Sequence, residues 1–272
     1  MGKRVGRWSA IAAAVMCVAQ SAAAQTQVFV PEVGQPGKDV VWVPSPPETV
    51  EKMMEVGQVT PQDFVIDLGS GDGRNVIAAA KRGARGLGVE YNPDMVNLSK
   101  RNAAEAGVSD RAQFVQGDMF AADFSNATVL ALFLLPSNLL QLREKIFNLR
   151  PGTRVVLNTF AIQDWTPDEQ VTLDNCTSWC TVMLNIVPAK VAGTWKLPQG
   201  ELKLTQDYQV VSGTMQTGDG AAIPVNGRLR GADLTLIAEK NEFKGRVNGN
   251  VIEGTYTTGG ATPTALTLTR VN

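Results

Sequence analysis

At 272 residues the chain is long enough for two domains at roughly 100–200 residues each, and a composition of 44% hydrophobic and 19% charged residues supplies a core and excludes general disorder. Twenty-five basic residues against 26 acidic ones leave a formal net charge of -1, so no overall field draws the chain onto a phosphate backbone. Histidine is absent and cysteine occurs three times, which removes imidazole triads and closed zinc sites, and no metal is expected.

Lys3, Arg4 and Arg7 precede an apolar run at 8–19, and Ala22-Ala23-Ala24 offers small residues for cleavage before Gln25. The pattern predicts a signal peptide over residues 1–24 and export to the periplasm of a Gram-negative cell. The run falls short of the about 20 residues of a membrane span; an uncleaved inner-membrane anchor is the alternative, and no later stretch could cross. Cys17 lies within this segment. Cys176 and Cys180, four apart, either pair in an oxidising compartment or remain buried thiols.

After a lead-in at 25–49, short Val/Ile/Leu runs alternate with amphipathic segments over 50–188, which predicts an α/β domain with a doubly wound, largely parallel sheet. Strands are expected at 64–68, 86–90, 112–116, 128–134 and 154–158, and helices at 74–81, 93–106 and 137–148. Pro93 and Pro136 stand where helix starts tolerate proline.

From about Val191 the texture changes to glycine- and threonine-rich alternation, with strands expected at 201–206, 208–215, 233–239 and 251–257. Gly227-Arg228-Leu229-Arg230-Gly231 is echoed by Gly245-Arg246-Val247-Asn248-Gly249, glycines suited to turns and tight strand corners. An antiparallel meander or small barrel follows, and residues 189–272 form a β-rich accessory module with no catalytic pattern of its own.

The chemistry concentrates at 64–92. Phe64-Val65-Ile66 runs into Asp67-Leu68-Gly69-Ser70-Gly71-Asp72-Gly73-Arg74 and then into an alanine-rich helix. Such a loop lets a ligand approach the backbone, and free N–H groups at the helix start attract electron-rich atoms. The third glycine comes one position too early for a dinucleotide fingerprint, and Asp67 disfavours a pyrophosphate. The Asp-x-Gly-x-Gly-x-Gly arrangement resembles motif I of S-adenosylmethionine-dependent methyltransferases, whose cofactor carries an ammonium and a sulfonium and no phosphate. Glu90 then stands where a carboxylate accepts ribose hydroxyls, and Asp118 where one accepts from the adenine amino group, with Met119 against the ring.

Val43-Pro44-Ser45-Pro46, the glycine loop, Gly88-Val89-Glu90-Tyr91-Asn92-Pro93 and Phe160-Ala161-Ile162-Gln163-Asp164-Trp165-Thr166-Pro167-Asp168 together are similar to the small seven-strand methyltransferases related to the mitochondrial lysine methyltransferases that act on the ADP/ATP carrier and on the c-ring protein of ATP synthase. The resemblance covers about residues 40–187. It implies a Rossmann-like sheet, S-adenosylmethionine held by Asp67, Gly69, Ser70, Gly71, Gly73, Glu90, Tyr91, Asp118 and Met119, and a protein lysine as methyl acceptor. Phe133 stands where relatives often have tyrosine, and the signal segment and β module are departures. At the acceptor end, Glu90, Asp164 and Asp168 are candidates to take the proton of an ammonium, with Trp165 and Phe133 walling the amine by cation–π contact. With no Asn-Pro-Pro-aromatic loop and no basic stripe, nucleic acid is not the expected acceptor. A competing reading is an exported binding or assembly protein that keeps the fold and works through its β module; the acid and glycine series favours the enzyme, and the signal peptide favours the binding protein.

Overall fold

A computed structural model of the chain describes residues 1–2 and 29–271; nearly all of the expected signal segment, Cys17 included, lies outside them. Among the described residues up to Val30 there is no helix or strand.

The α/β half contains α1 (Pro47–Val56), β1 (Phe64–Leu68), α2 (Arg74–Lys81), β2 (Arg85–Glu90), α3 (Pro93–Glu105), β3 (Ala112–Gln116), β4 (Val129–Leu132), α4 (Pro136–Phe147), β5 (Arg154–Asn158), β6 (Glu169–Thr172) and β7 (Thr181–Ile186). Strand order is β3-β2-β1-β4-β5-β7-β6. The first five run parallel, and β7 pairs antiparallel with both β5 and β6. The central strands are apolar on both faces, as a sheet sandwiched between helices requires. Ile66, Leu130 and Leu157 pack with Leu139, Leu142 and Ile146 of α4. The alternate residues Val65, Val129 and Val156 pack with Met53 and Met54 of α1 and with Ala78 and Ala79 of α2. Between β1 and β4 the strand order reverses, which opens a crevice at the carboxyl ends of the strands.

Proline opens α3 and α4, and the Asn92 side chain accepts the Asp94 N–H at 2.9 Å to cap α3. α1 and β6 are additions to the expected elements. α1 straddles the expected lead-in boundary behind a pair of prolines, and β6 reads Glu-Gln-Val-Thr with little buried surface.

The second half comprises β8 (Gly193–Leu197), β9 (Gly200–Asp207), β10 (Val210–Thr217), β11 (Ile223–Arg230), β12 (Asp233–Ala238), β13 (Asn241–Asn248), β14 (Val251–Thr258) and β15 (Thr264–Arg270). Each strand pairs antiparallel with the next, and β15 returns to β8 through Thr269↔Lys196 and Arg270↔Trp195. The choice left open between meander and barrel thus resolves as a closed eight-stranded barrel. The sequence near-repeat maps onto equivalent hairpins, β11–β12 turning at Gly231 and β13–β14 at Gly249, both with positive φ. Trp195, Leu229, Leu234 and Ile252 fill the interior.

Sheet and barrel meet at an aromatic seam. Trp165 stacks on Tyr208 at 5.0 Å, and Phe147 meets both edge-on. Gln209 Nε2 donates to Thr166 O at 2.6 Å, and Arg228 pairs with the buried Asp168 at 2.8 Å. Lys190 lies over the Phe147 ring, and burial lowers its ammonium to about 8.

Candidate active site

The crevice holds a cavity of about 360 Å3, within the range of small-ligand sites. Gly69 of the glycine loop, Glu90 at the end of β2 and Tyr91 after it, Asp118 and Met119 after β3, and Phe133 after β4 line it, together with a strap formed by residues 35–43.

The loop satisfies its own donors. Gly69 and Ser70 N–H both donate to Val89 O, at 2.8 and 3.1 Å, and Gly73 N–H donates to Ser70 O at 2.9 Å. Gly71 N–H donates to Glu90 Oε2 at 3.0 Å, and Asn92 N–H to Glu90 Oε1 at 2.9 Å. The N–H groups of Gly69, Ser70 and Gly71 are thus taken by the end of β2 and that of Gly73 by the loop itself, while the helix start that follows carries no side-chain cap. The consequence is a Glu90 carboxylate fixed by two backbone donors. Gly73, with φ of 86°, also permits close packing: a Cβ there would lie 2.7 Å from the Phe114 ring and from Ser99.

Asp67 and Ser70 are 3% and 4% exposed and lie beneath the cavity rather than on its wall. Asn75 Nδ2 donates to Asp67 Oδ2 at 3.0 Å. Burial pushes the Asp67 carboxyl well above the ordinary carboxylate value, against the Asn75 hydrogen bond, and the nearby Glu90 and Asp72 add to the rise. Gly71 and Gly73 likewise shape the loop without lining the cavity, and Trp42 of the strap packs on Gly71.

The strap is closed on itself by Gly34 N–H to Trp42 O at 2.8 Å and Trp42 N–H to Gln35 O at 3.0 Å. It is tied down where Arg74 donates to Ser45 O and Asn158 Nδ2 donates to Ser45 Oγ. From it Lys38 reaches Asp118 Oδ2 at 2.6 Å, above the Tyr91 ring. Hydrogen bonding from Lys38, and then from Phe120 N–H, holds the Asp118 carboxyl below its usual value.

The opposite end of the cavity is aromatic. Phe133, Phe160 and Trp179 lie with ring centroids 5.3–6.2 Å apart. Three expected acceptor-side residues lie elsewhere. Trp165 is 1% exposed at the barrel seam, stacked on Tyr208, and so cannot wall an amine. Asp164 is largely solvent-exposed, pairs with Arg143 at 3.1 Å and does not line the cavity. Asp168 is committed to Arg228 and to the Ile186 N–H. Sequence patterning does not single out Trp179 or Phe160 as acceptor-site residues. The available signal is a tryptophan between Cys176 and Cys180, which are disulfide-bonded.

A family profile described as the ANTKMT methyltransferase domain matches residues 67–169. A protein-lysine N-methyltransferase of Saccharolobus islandicus is 38% identical over 151 residues, 54% of this chain and 94% of that protein. The chain belongs to the ANTKMT methyltransferase family. It is an S-adenosylmethionine-dependent methyltransferase, and the reading as a binding protein that merely keeps the fold is not favoured. The mouse adenine nucleotide translocase lysine N-methyltransferase is 37% identical over 105 residues, 38% of this chain and 46% of that protein. A crystal structure titled as an RNA methyltransferase from Salinibacter ruber, in complex with S-adenosyl-L-homocysteine, is 46% identical, covers 55% of this chain and 96% of that one, and superposes with a TM-score of 0.52.

The residues of this methyltransferase fit that cofactor on their own chemistry. Glu90 and Asp118 give the cavity an acidic wall, Met119 is apolar and 6% exposed, and the glycine loop offers no spare N–H at Gly69, Ser70, Gly71 or Gly73 for a phosphate. The wall suits a nucleoside bearing positive charge.

Proposed function

We propose that this methyltransferase transfers a methyl group from S-adenosylmethionine to the ε-amine of a protein lysine. One observation carries the reading: the cavity runs from the carboxylates of Glu90 and Asp118 to an end walled by Phe133, Phe160 and Trp179. The names of the archaeal and mouse relatives point the same way.

When bound, S-adenosylmethionine supplies a methyl group on a sulfonium, a strong electrophile. Glu90, oriented by the Gly71 and Asn92 N–H groups, retains lone pairs for two ribose hydroxyls. Asp118 and Met119 would flank the base, and Gly69 would let it approach the backbone. The faces of Phe133, Phe160 and Trp179 attract the lysine ammonium by cation–π contact and exclude water. Desolvation favours the neutral amine, so the proton leaves to solvent before attack. With the cofactor in place, its sulfonium would pass the methyl carbon to the amine nitrogen as the carbon–sulfur bond breaks, leaving a neutral thioether and a methylated ammonium. Orientation and dryness supply the acceleration, which is why a chain without histidine can perform it.

The Salinibacter RNA methyltransferase raises RNA as a second acceptor, against which stand the net charge of -1 and the single lysine, with no arginine, on the cavity wall. Incubation with methyl-tritiated S-adenosylmethionine and either a lysine peptide array or total RNA, followed by hydrolysis, separates the two. Methyl-lysine in the peptide arm is expected; label in RNA alone would overturn the proposal.

We further infer residence in the periplasm from the pattern of residues 1–24, supported by the Cys176–Cys180 bond. A C-terminal reporter active only beyond the inner membrane should be active. A silent reporter with residues 1–24 retained would instead place the enzyme on the inner membrane, facing the cytoplasmic cofactor pool.

A further inference from the structure

The tip of the β6–β7 hairpin is a covalent ring. Cys176 and Cys180 are bonded with Cα atoms 5.6 Å apart, directly above the last rung, where Leu173 N–H donates to Cys180 O at 2.9 Å and Thr172 pairs with Thr181. Within the ring Trp179 has φ of 58°, and Asn175 beside it has φ of 59°. Bulky residues rarely adopt that region, and they keep it only where the surroundings over-determine the backbone. Two constraints do so here: the disulfide, and the hydrogen bond from Thr49 Oγ1 of α1 to Trp179 O at 3.1 Å.

Their combined effect is to turn the indole into the cavity. Trp179 belongs to none of the buried apolar clusters and is the one residue of the hairpin that lines the site. Its ring is tilted 58° from Phe133 and 54° from Phe160, which lie 15° from parallel to each other, so the indole forms a separate wall beside the stacked pair. Tryptophan also has the strongest cation–π face of the three aromatic side chains.

We propose that Trp179 is an acceptor-binding residue of this methyltransferase, and that the Cys176–Cys180 bond positions it, so that full affinity for the acceptor requires the oxidised hairpin. The assignment rests on the lysine reading above and adds a residue and a covalent requirement to it.

Initial-rate kinetics on the full chain test it, using the lysine peptide that the wild-type enzyme methylates best. Trp179→Ala should raise the acceptor KM about tenfold, change kcat less, and leave S-adenosylhomocysteine affinity within about twofold; Trp179→Phe should recover most of the loss. The double variant Cys176→Ser/Cys180→Ser should shift the acceptor KM in the same direction by a smaller factor. Wild type reduced by dithiothreitol, with the two-hydrogen gain confirmed by mass, should match it. Unchanged acceptor KM in Trp179→Ala overturns the binding role. A Trp179→Ala effect with an unaltered double variant overturns the positioning role of the disulfide. Loss of S-adenosylhomocysteine affinity in both variants would show that the ring serves the cofactor end, which also overturns the assignment. A wild-type enzyme that methylates no lysine peptide is a different result: the lysine reading itself then falls, and this assignment with it.

Discussion

In the α/β half the strand bodies are apolar and the polar groups gather at their ends: Asp67 late in β1, Glu90 closing β2, Asp118 just past β3. In the barrel the charges alternate along the outer face, as in the exposed pairs Lys203–Glu201, Lys244–Glu242 and Arg246–Asp233, each worth about 0–1 kcal/mol. The interiors differ as well. The crevice leaves about 360 Å3 open, whereas the gap among Leu202, Phe243 and Leu268 inside the barrel is about 30 Å3, space for about one water. A parallel sheet leaves its strand ends open at the point where strand order reverses, while a closed eight-stranded barrel fills its interior with side chains. The two halves are therefore divided in kind, one with room for a ligand and the other with a filled interior.

That division should survive damage to the barrel core. Trp195 is fully buried and donates to Val191 O at 2.8 Å, so Trp195→Ala should cost about 3–5 kcal/mol. Thermal melts should show the barrel transition move while S-adenosylhomocysteine affinity, measured below that transition, stays within about twofold. A parallel fall in affinity would break the comparison.

Glycine substitutions sharpen it. Gly73→Ala places a Cβ 2.7 Å from the Phe114 ring at a φ of 86°, and should cost about 2–4 kcal/mol and disable the cofactor loop. Gly218→Ala in the barrel meets nothing within 4 Å at a φ of 55°. Its cost should be about 1 kcal/mol, with activity retained. Urea titration of both variants measures the difference.

The smallest expected effect is a matter of sign. Burial raises the Asp67 carboxyl in the folded state, so its contribution to stability is fully present below the unfolded value of about 4 and is lost as pH rises through the folded one. Asp67→Asn removes that loss. The variant should gain in Tm relative to wild type as pH rises from acid toward neutral, and a constant difference would contradict the assignment.

Much of this arrangement is legible in sequence because local and global signals agree. β1 and β5 read as doubly buried strands and occupy the expected positions, and Pro93 and Pro136 mark true helix starts. The glycine and acid series falls at one crevice because β1, β2 and β3 are neighbours that all run parallel. What sequence does not show depends on contacts between distant segments. Trp165 and Trp179 are indistinguishable by residue type. Tyr208 of the barrel covers the first, while a disulfide and Thr49 turn the second into the cavity. The loop donors look free in sequence because their acceptors, Val89 O and the Glu90 carboxylate, belong to another strand. Lys38 against Asp118 joins segments 80 residues apart, a pairing no local pattern signals.

The most direct measurement is calorimetric titration of S-adenosylhomocysteine into the full chain and into Glu90→Ala. Glu90 is the lining carboxylate fixed by the Gly71 and Asn92 N–H groups, and its loss should weaken binding by about 1.5–3 kcal/mol, the scale of charge-assisted hydrogen bonds removed. Equal affinity in the two proteins would contradict the assignment of this cavity to the cofactor.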